Sequence, residues 1–298
     1  MSQFPLVTVI IPAHNASRFI QETIRSVLNQ SYTNFEILVI DDGSTDHTYA
    51  LVNEMKQPNI RIMRKEKSGV SDSRNMGIIG SNGELLVFLD ADDILGKDFL
   101  ALRVQELVHH PEIDFCYSYI RKINENGDLI PGEFQGPRDS SFNEDILLYR
   151  RPDVITCPSN FLFRKTALVD HGISFNPILS SSADRFFLLR VNNVCKHSIL
   201  VNKEAFLFYR VHSKSMSNFF SSTLINDAKN FAREVSQLSF LDENLLKNFL
   251  NRANFLISAS LFKNGNYFQS LVYALQAAIL NPLTFLKDLK SILSRKFA

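Results

Sequence analysis

The amino-acid sequence predicts an α/β fold, in which a mainly parallel, twisted sheet with helices on both faces is followed by a helical C-terminal segment. Two features of the chain predict this fold. Short β-branched and aliphatic runs alternate with amphipathic stretches over the first 120 residues, and the pattern becomes helical after residue 217. Continuous apolar runs are typical of parallel strands that are buried on both faces, which is why the alternation favours this class.

Five strands and three helices are predicted in the first 120 residues. The strands are expected at residues 7–11, 35–40, 60–63, 85–89 and 113–119. The first helix has an apolar stripe formed by Ile20, Ile24, Val27 and Leu28. Ser17 is expected to cap this helix. Two further helices are expected at 71–80 and 98–109, the second ending before Pro111.

The remainder of the chain changes character twice. Residues 120–180 are rich in Gly, Pro and Ser and are expected to form short elements that face a substrate. After Ser217 helices are expected to the end of the chain, with a turn at Asn264-Gly265-Asn266 and a break at Asn281-Pro282.

Composition and charge exclude several classes of protein. The 298 residues are 45% hydrophobic with a net charge of +1, so the chain lacks the basic field of a nucleic-acid-binding protein. Its three cysteines have no metal-ligand spacing and indicate a reducing compartment. The N-terminus lacks the features of a signal peptide, and no apolar run is long enough to cross a bilayer. We therefore expect a cytoplasmic location, with peripheral contact to the cytoplasmic face of a membrane as an option.

Polar residues follow three of the predicted strands at the point where each strand ends. These are Pro12-Ala13-His14-Asn15, the run from Asp41 to Asp46, and Asp90-Ala91-Asp92-Asp93. The carboxyl ends of parallel strands meet at one edge of a sheet. Carboxylates gathered there repel each other unless a cation balances them, and oxygen ligands suit Mg²⁺ or Mn²⁺ completed by phosphate.

Simpler roles are also open to these motifs. The second is compatible with a turn and a helix cap, and the third with a solvated strand end. Neither a GxGxxG motif nor a P-loop is present, so a dinucleotide-binding fingerprint is not indicated.

The chain resembles the family 2 glycosyltransferases, which have the GT-A fold. The resemblance rests on VTVIIPAHNASRFIQETIRSVLNQSYTNFEILVIDDGSTD, GVSDSRNMGI, LVFLDADD, ADRFFLLR and YRVHSKSMS, which cover most of residues 5–217. It implies a GT-A domain at 1–217, with a Rossmann-like nucleotide-sugar-binding half at 5–119 and an acceptor-side half at 120–217, and a helical extension at 218–298. It also implies an inverting transferase that moves a sugar, expected to be UDP-linked, to an acceptor hydroxyl in cell-surface polysaccharide or glycolipid synthesis.

The resemblance assigns roles to residues at the same strand ends. Nucleotide-sugar contacts are expected from Pro12, Ala13, His14, Asn15, Asp42, Arg74, Asn75, Asp90 and Ala91. Asp42 is expected to accept a hydrogen bond from the uracil ring, and Asp90, the first aspartate of the DXD motif, to face the ribose. Asp92 and His212 are expected to bind a divalent metal, Mn²⁺ or Mg²⁺, although a lone histidine is more often structural.

One position departs from the family pattern. The family often has Glu-Asp at the catalytic base, whereas this chain has Ala183-Asp184. Asp184 is expected to be the base at the start of a helix, where backbone N–H groups favour the ionised carboxylate. The missing glutamate leaves acceptor specificity open, and Asp93 and Asp153 are the alternatives to Asp184.

Two other functions are compatible with the same residues. A metal-dependent nucleotidyltransferase uses carboxylates, a metal and a nucleotide, and a degenerate nucleotide-sugar-binding protein would explain Ala183.

The expected partners are a nucleotide sugar and a saccharide or lipid-linked saccharide, without nucleic acid. Residues 283–298 have a basic amphipathic pattern, typical of a helix that contacts a membrane or packs on the protein body.

Overall fold

The computed structural model describes residues 4–148, 151, 153–199, 205–212, 222–283 and 285–286. The chain forms two compact units. The first, here called the sheet unit, comprises residues 1–146 and 151–214. The second, the helical unit, comprises residues 147–150 and 215–298.

The strands alternate with helices along most of the sheet unit. The strands are β1 (Val7–Ala13), β2 (Phe35–Asp42), β3 (Ile60–Lys65), β4 (Leu85–Phe88), β5 (Ile94–Leu95), β6 (Phe115–Tyr117), β7 (Tyr119–Ile123), β8 (Leu129–Gln135), β9 (Phe161–Arg164), β10 (His197–Ile199) and β11 (Leu207–Arg210). The helices of the described residues, in both units, are α1 (Ile20–Leu28), α2 (Thr48–Glu54), α3 (Val70–Gly80), α4 (Phe99–His109), α5 (Phe142–Leu148), α6 (Lys165–Asp170), α7 (Ala183–Val194), α8 (Ser222–Ser236), α9 (Glu243–Lys263) and α10 (Tyr267–Leu280).

The larger sheet has seven strands in the order β10-β6-β9-β4-β1-β2-β3. β1 is parallel to both of its neighbours, β2 is parallel to β3, and β10 is parallel to β6. β9 is antiparallel to β4 and to β6. The predicted α/β class with a mainly parallel sheet is therefore confirmed, and its central strands β1, β2 and β4 are buried along their whole length.

Three neighbouring strands bring the polar motifs to one edge of the large sheet. In the register of β1, Ala13 pairs with Asp41 of β2, and Ile10 pairs with Phe88 of β4. The residues after each of these strands therefore leave the sheet on the same side. Helix α3 packs closely on β1 because it has glycine at position 77, where a Cβ would lie 2.2 Å from Cγ2 of Ile10.

The strand expected at 113–119 is confirmed only at 115–117, because the chain divides there between two sheets. β6 ends at Tyr117, and β7 begins at Tyr119 in a second sheet of order β5-β11-β7-β8. Ser118 between them is buried, and its carbonyl oxygen accepts a hydrogen bond of 2.7 Å from Nδ2 of Asn160. The contact with Asn160 fixes the point at which the chain passes from the first sheet to the second.

The expected cap of α1 was also wrong. The helix begins at Ile20, and its cap residue is Phe19 without a side-chain hydrogen bond. The backbone N–H of Ser17 instead donates to Oδ2 of Asp46 at 3.1 Å. This contact ties the segment before α1 to the loop after β2, so tertiary contact overrides the local capping preference.

The helical unit contains the hairpin of α9 and α10. The turn expected at 264–266 is confirmed: Asn264 ends α9, Gly265 has φ +76°, and Asn266 caps α10 by accepting from the N–H of Gln269. α10 ends before Asn281, as expected. No helix within the described ranges is long and apolar enough to span a membrane.

Candidate active site

The loops after β1 and β2 are tied together by the side chain of Asn15. Its Oδ1 accepts hydrogen bonds from the N–H groups of Thr45 (2.8 Å) and Asp46 (3.3 Å), and its own N–H donates to Oγ of Ser44 at 3.0 Å. Asn15 has φ +51°, a conformation that asparagine tolerates better than most residues. The loop that the resemblance assigns to the nucleotide is thus held by side-chain contacts.

The other three predicted residues of this loop differ in accessibility. Pro12 and Ala13 are buried within β1, where they pair with Ile40 and Asp41. His14 is partly exposed, and its Nδ1 donates to the carbonyl oxygen of Asp42 at 2.8 Å. Only the side chains of His14 and Asn15 therefore reach the polar edge.

Asp42 lies at the end of β2 and is surrounded by hydrogen-bond donors. Its carboxylate accepts hydrogen bonds from Nζ of Lys65 and from the N–H groups of Ser68 (2.8 Å) and Gly69 (2.9 Å). Burial opposes ionisation, but these hydrogen bonds outweigh it, so the pKa of Asp42 is lowered. A carboxylate has about four acceptor positions, so three donors leave one for a ligand.

A buried arginine joins two of the predicted site residues. Nη2 of Arg74 lies 2.7 Å from Oδ1 of Asp90, and Nη1 lies 2.6 Å from Oδ1 of Asp184. Arg74 is only 2% exposed, whereas the two carboxylates are 27% and 25% exposed. Burial alone would lower the pKa of Arg74, but the charges of Asp184 and Asp90 raise it overall, so the guanidinium stays charged.

Aromatic residues beneath the guanidinium fix its position. The guanidinium carbon of Arg74 lies 5.0 Å from the ring centre of Phe175, which stacks on Phe187 of α7 at 4.0 Å. The side chain of Asn75 makes two 2.8 Å hydrogen bonds with the backbone of Phe175. Asn75 therefore joins α3 to the segment before α7, and the nucleotide contact expected of it stays a prediction.

The DXD motif and His212 lie together. Oδ2 of Asp92 is 2.8 Å from Nε2 of His212, and the two side chains are 34% and 12% exposed. Burial and the nearby charge of Asp90 raise the pKa of Asp92, and His212 opposes that effect. Ala91 between the two aspartates is half-buried, and its carbonyl oxygen accepts from Oγ1 of Thr23 at 3.0 Å.

The last residue of the DXD motif, Asp92, and its neighbour Asp93 are both contacted by Arg210. The sequence motifs did not single out this arginine. Nε of Arg210 donates to the carbonyl oxygen of Asp92 (2.8 Å), and its backbone N–H donates to Oδ1 of Asp93 (2.9 Å). Nη2 also donates to Oε2 of Glu22 at 2.7 Å. Arg210 belongs to the same YRVH stretch as His212, so this stretch contacts both aspartates. The rest of that motif, residues 213–217, lies outside the described residues.

The two alternative bases, Asp93 and Asp153, have surroundings that differ from those of Asp184. Asp93 is 1% exposed, and burial together with the charges of Asp92 and Asp90 raises its pKa well above the usual range. An acceptor hydroxyl cannot reach a carboxyl group that is this deeply buried. Asp153 pairs with Arg151 and accepts from Nε2 of Gln135 at 3.2 Å.

Asp184 itself is the second residue of α7 and does not cap that helix. Ser182 is the cap residue, and Ala183 is fully buried as the first residue of α7. The carboxylate of Asp184 is thus held from outside its own helix, by Arg74 of α3.

The residues expected to bind a divalent cation are Asp92 and His212. Among the described residues, no three His, Cys, Asp or Glu side chains are grouped so that they could hold a metal ion by themselves. Asp92 and His212 nevertheless present a carboxylate oxygen and an imidazole nitrogen side by side. Two protein ligands completed by substrate phosphates are a common way to bind Mg²⁺, so the pair fits such an ion.

Comparison with known sequences supports a single family. The sequence profile of glycosyl transferase family 2 matches residues 8–172. An uncharacterized glycosyltransferase of Haemophilus influenzae is 30% identical over 245 residues, which cover 78% of this chain and 74% of that protein. The Escherichia coli protein WfgD, named as a UDP-Glc:α-D-GlcNAc-diphosphoundecaprenol β-1,3-glucosyltransferase, is 34% identical over 47% of this chain and 54% of its own length.

Some relatives are much longer than this chain. The hyaluronan synthase of Pasteurella multocida is 32% identical over 142 residues, which are 47% of this chain and 15% of the synthase. The chain therefore matches only a small part of that enzyme.

Two solved structures share the fold. S. aureus TarS (residues 1–349), in complex with UDP-GlcNAc, superposes with a TM-score of 0.67 at 23% identity, over 91% of this chain and 81% of that one. The mannosyltransferase PcManGT of Pyrobaculum calidifontis, in complex with GDP-Man and Mn²⁺, has a TM-score of 0.62 at 16% identity, over 100% of this chain and 82% of that one. Since the family profile covers more than half of the chain and includes all three polar strand ends, the chain belongs to glycosyl transferase family 2.

Proposed function

We propose that this chain is an inverting glycosyltransferase that moves a sugar from a UDP-linked donor to a hydroxyl group of a saccharide or lipid-linked saccharide. The observation that supports this most is the double ion pair of Arg74 with Asp90 and Asp184. The buried guanidinium of Arg74 joins the first aspartate of the DXD motif to the proposed base. The residues proposed to contact the sugar donor and the acceptor hydroxyl are therefore held by the same side chain.

The nucleotide is proposed to lie against the loops after β1 and β2. The remaining acceptor position of Asp42 suits the ring N–H of uracil, and the Asn15 contacts keep the neighbouring loop in place. TarS was solved with UDP-GlcNAc and WfgD is named for UDP-Glc, which supports a UDP-linked donor here.

The divalent metal is proposed to be held by Asp92 and His212. When bound, the ion supplies positive charge that neutralises the departing nucleoside diphosphate. The other parts of the site are provided by the chain itself. Arg210 holds the backbone of Asp92 in place, so that its carboxylate stays beside His212.

Asp184 is proposed to accept the proton of the acceptor hydroxyl as that oxygen attacks the anomeric carbon. Its carboxylate is 25% exposed, so an acceptor can reach it, and Arg74 fixes its orientation. Attack from the side opposite the leaving diphosphate inverts the configuration at the anomeric carbon.

The test is a product analysis with a panel of UDP- and GDP-sugars, Mn²⁺, and saccharide and lipid-linked acceptors. We expect UDP and a glycosylated product of inverted configuration. Release of pyrophosphate from UTP and a sugar 1-phosphate, measured in a parallel assay, would indicate a nucleotidyltransferase instead. Donor binding with neither transfer nor hydrolysis would indicate a degenerate binding protein.

A further inference from the structure

Helix α10 presents an apolar stripe that remains exposed. Phe268 and Ile279 are 79% and 80% exposed, and Leu271 and Leu275 are 59% and 54% exposed. These positions recur at helical spacing and therefore share one face. Leu283, just beyond α10, is 81% exposed. Monomeric proteins seldom leave such a contiguous apolar surface without a use for it.

The stripe is not the face that holds the hairpin together. The opposite side of α10 packs on α9, where Ser270 and Ser258 exchange hydrogen bonds and Nδ2 of Asn251 donates to the carbonyl oxygen of Ala277. Ser270 and Ala277 are buried. The stripe is thus available to a partner without opening the hairpin.

Charge is distributed unevenly along the chain. Residues 267–286 contain no Asp, Glu, Lys or Arg. Residues 244–298 contain seven basic residues and a single acidic one, Asp288. Since the whole chain has 32 basic and 31 acidic residues, the first 243 residues carry 25 basic and 30 acidic residues. The apolar stripe therefore lies in a basic segment of an otherwise acidic chain.

We infer that the exposed face of α10 docks on a lipid surface that carries anionic headgroups. The apolar side chains would enter the boundary between headgroups and acyl chains, and the excess of basic residues in 244–298 would favour anionic headgroups over neutral ones. A second copy of the chain fits this surface less well, because pairing two stripes would bring two basic segments together without acidic partners.

This docking would keep the enzyme beside a lipid-linked acceptor. That use rests on the proposed function, whereas the docking itself does not. The surface differs from a membrane-spanning element, since it requires only one face of a helix to enter the interface.

The test is vesicle co-sedimentation with the full chain. Vesicles of phosphatidylcholine alone are compared with vesicles that also contain phosphatidylglycerol, at low and high salt. We expect the wild type to bind the anionic vesicles, with an affinity that falls as salt rises. The triple variant Phe268→Gln, Leu275→Gln, Ile279→Gln should bind them at least about tenfold more weakly. Ile79→Gln is the matched control, because it replaces an 85% exposed isoleucine in the sheet unit.

Three results would overturn the inference. One is a wild-type chain that does not bind anionic vesicles, and another is a triple variant that binds them as well as the wild type. The third is a wild-type dimer in gel filtration that the triple variant dissociates, since the stripe would then bind a second copy. Transfer to a soluble saccharide is followed in parallel: its absence in a wild type that binds vesicles would count against the proposed function and leave the docking intact.

Discussion

Arg74 and Asp184 form an ion pair of 2.6 Å between Nη1 and Oδ1, although 110 residues separate them in the chain. The same guanidinium lies 2.7 Å from Asp90, and it is nearly inaccessible to solvent. Because a buried charge is costly without partners, removing either carboxylate leaves Arg74 partly uncompensated. The pair thus links the position of the proposed base to that of the DXD motif.

Arg74→Lys should impair transfer more than it impairs nucleotide binding. Lysine keeps the charge but lacks the planar fork that reaches both carboxylates, so the base and the DXD motif lose their common support. We expect kcat to fall by roughly 10- to 100-fold, with a smaller change in UDP affinity. Steady-state kinetics with UDP titration measures both. Arg61→Lys, at a partly exposed arginine that pairs with Glu36, is the control and should stay near wild-type activity.

Donor and metal should bind together. UDP should raise the Tm clearly in the presence of Mn²⁺ and only weakly in chelator, because a ligand that binds the folded state more tightly stabilises it more. His212→Ala should remove most of the rise in Tm that depends on Mn²⁺, since His212 lies beside Asp92. Thermal shift measurements give the answer, and an equal shift of the wild type in chelator would refute a metal-linked donor site.

Asp46 should contribute stability that is lost in acid. Burial opposes its charge, but hydrogen bonds from Thr48 and Ser17 prevail and lower its pKa from the ordinary 3.8 to about 2. The contribution is therefore complete above pH 3.8 and disappears as pH falls towards about 2. Allowing for solvent screening, we expect Asp46→Asn to cost about 1 kcal/mol at pH 7. Urea unfolding at pH 7, 4 and 3 should show this difference shrinking below pH 4; a difference that grows there would contradict the assignment.

Gly83→Ala should destabilise the sheet unit. A Cβ at this position would lie 2.5 Å from the backbone nitrogen of Thr8 and 2.8 Å from the carbonyl oxygen of Leu6, so β1 would have to move. A cost of about 1–3 kcal/mol is expected from such overpacking. The control is Gly80→Ala, where the nearest atoms are side-chain atoms at 3.4 Å. Urea unfolding measures the stability of both variants. Equal stability of Gly83→Ala and Gly80→Ala would contradict the prediction, because β1 would then shift at little cost.

Much of the fold could be predicted because its signals are local. The buried runs of β1 and β2 and the turn at Gly265 depend on residues adjacent in sequence, and each lies within two residues of its expected place. The cap of α1 could not be predicted, because both the backbone N–H and the side chain of Ser17 bind Asp46, almost thirty residues away. The division of the chain at Ser118 between two sheets also has no local mark, and its carbonyl binds the distant Asn160.

The candidate site likewise has some residues that the sequence could predict and others that it could not. The DXD motif and His212 could be named from their sequence patterns, and the fold brings them together. The ion pairs of Arg74 and the contacts of Arg210 could not be predicted, because each depends on which distant groups surround a buried guanidinium. An arginine in a sequence carries no mark of burial, so only the packing of Phe175 and α7 identifies the partner of Arg74.

The measurement that tests the central claim most directly is the turnover of Asp184→Asn, recorded with its Tm and its UDP affinity. Asparagine nearly preserves the shape of the side chain and can still accept from Arg74, but it cannot take up a proton at neutral pH. We predict a loss of turnover of roughly 10²–10⁴-fold, with UDP binding retained and the fold intact. Near-wild-type turnover in a folded Asp184→Asn variant would contradict the account, because Asp184 would then not be the base.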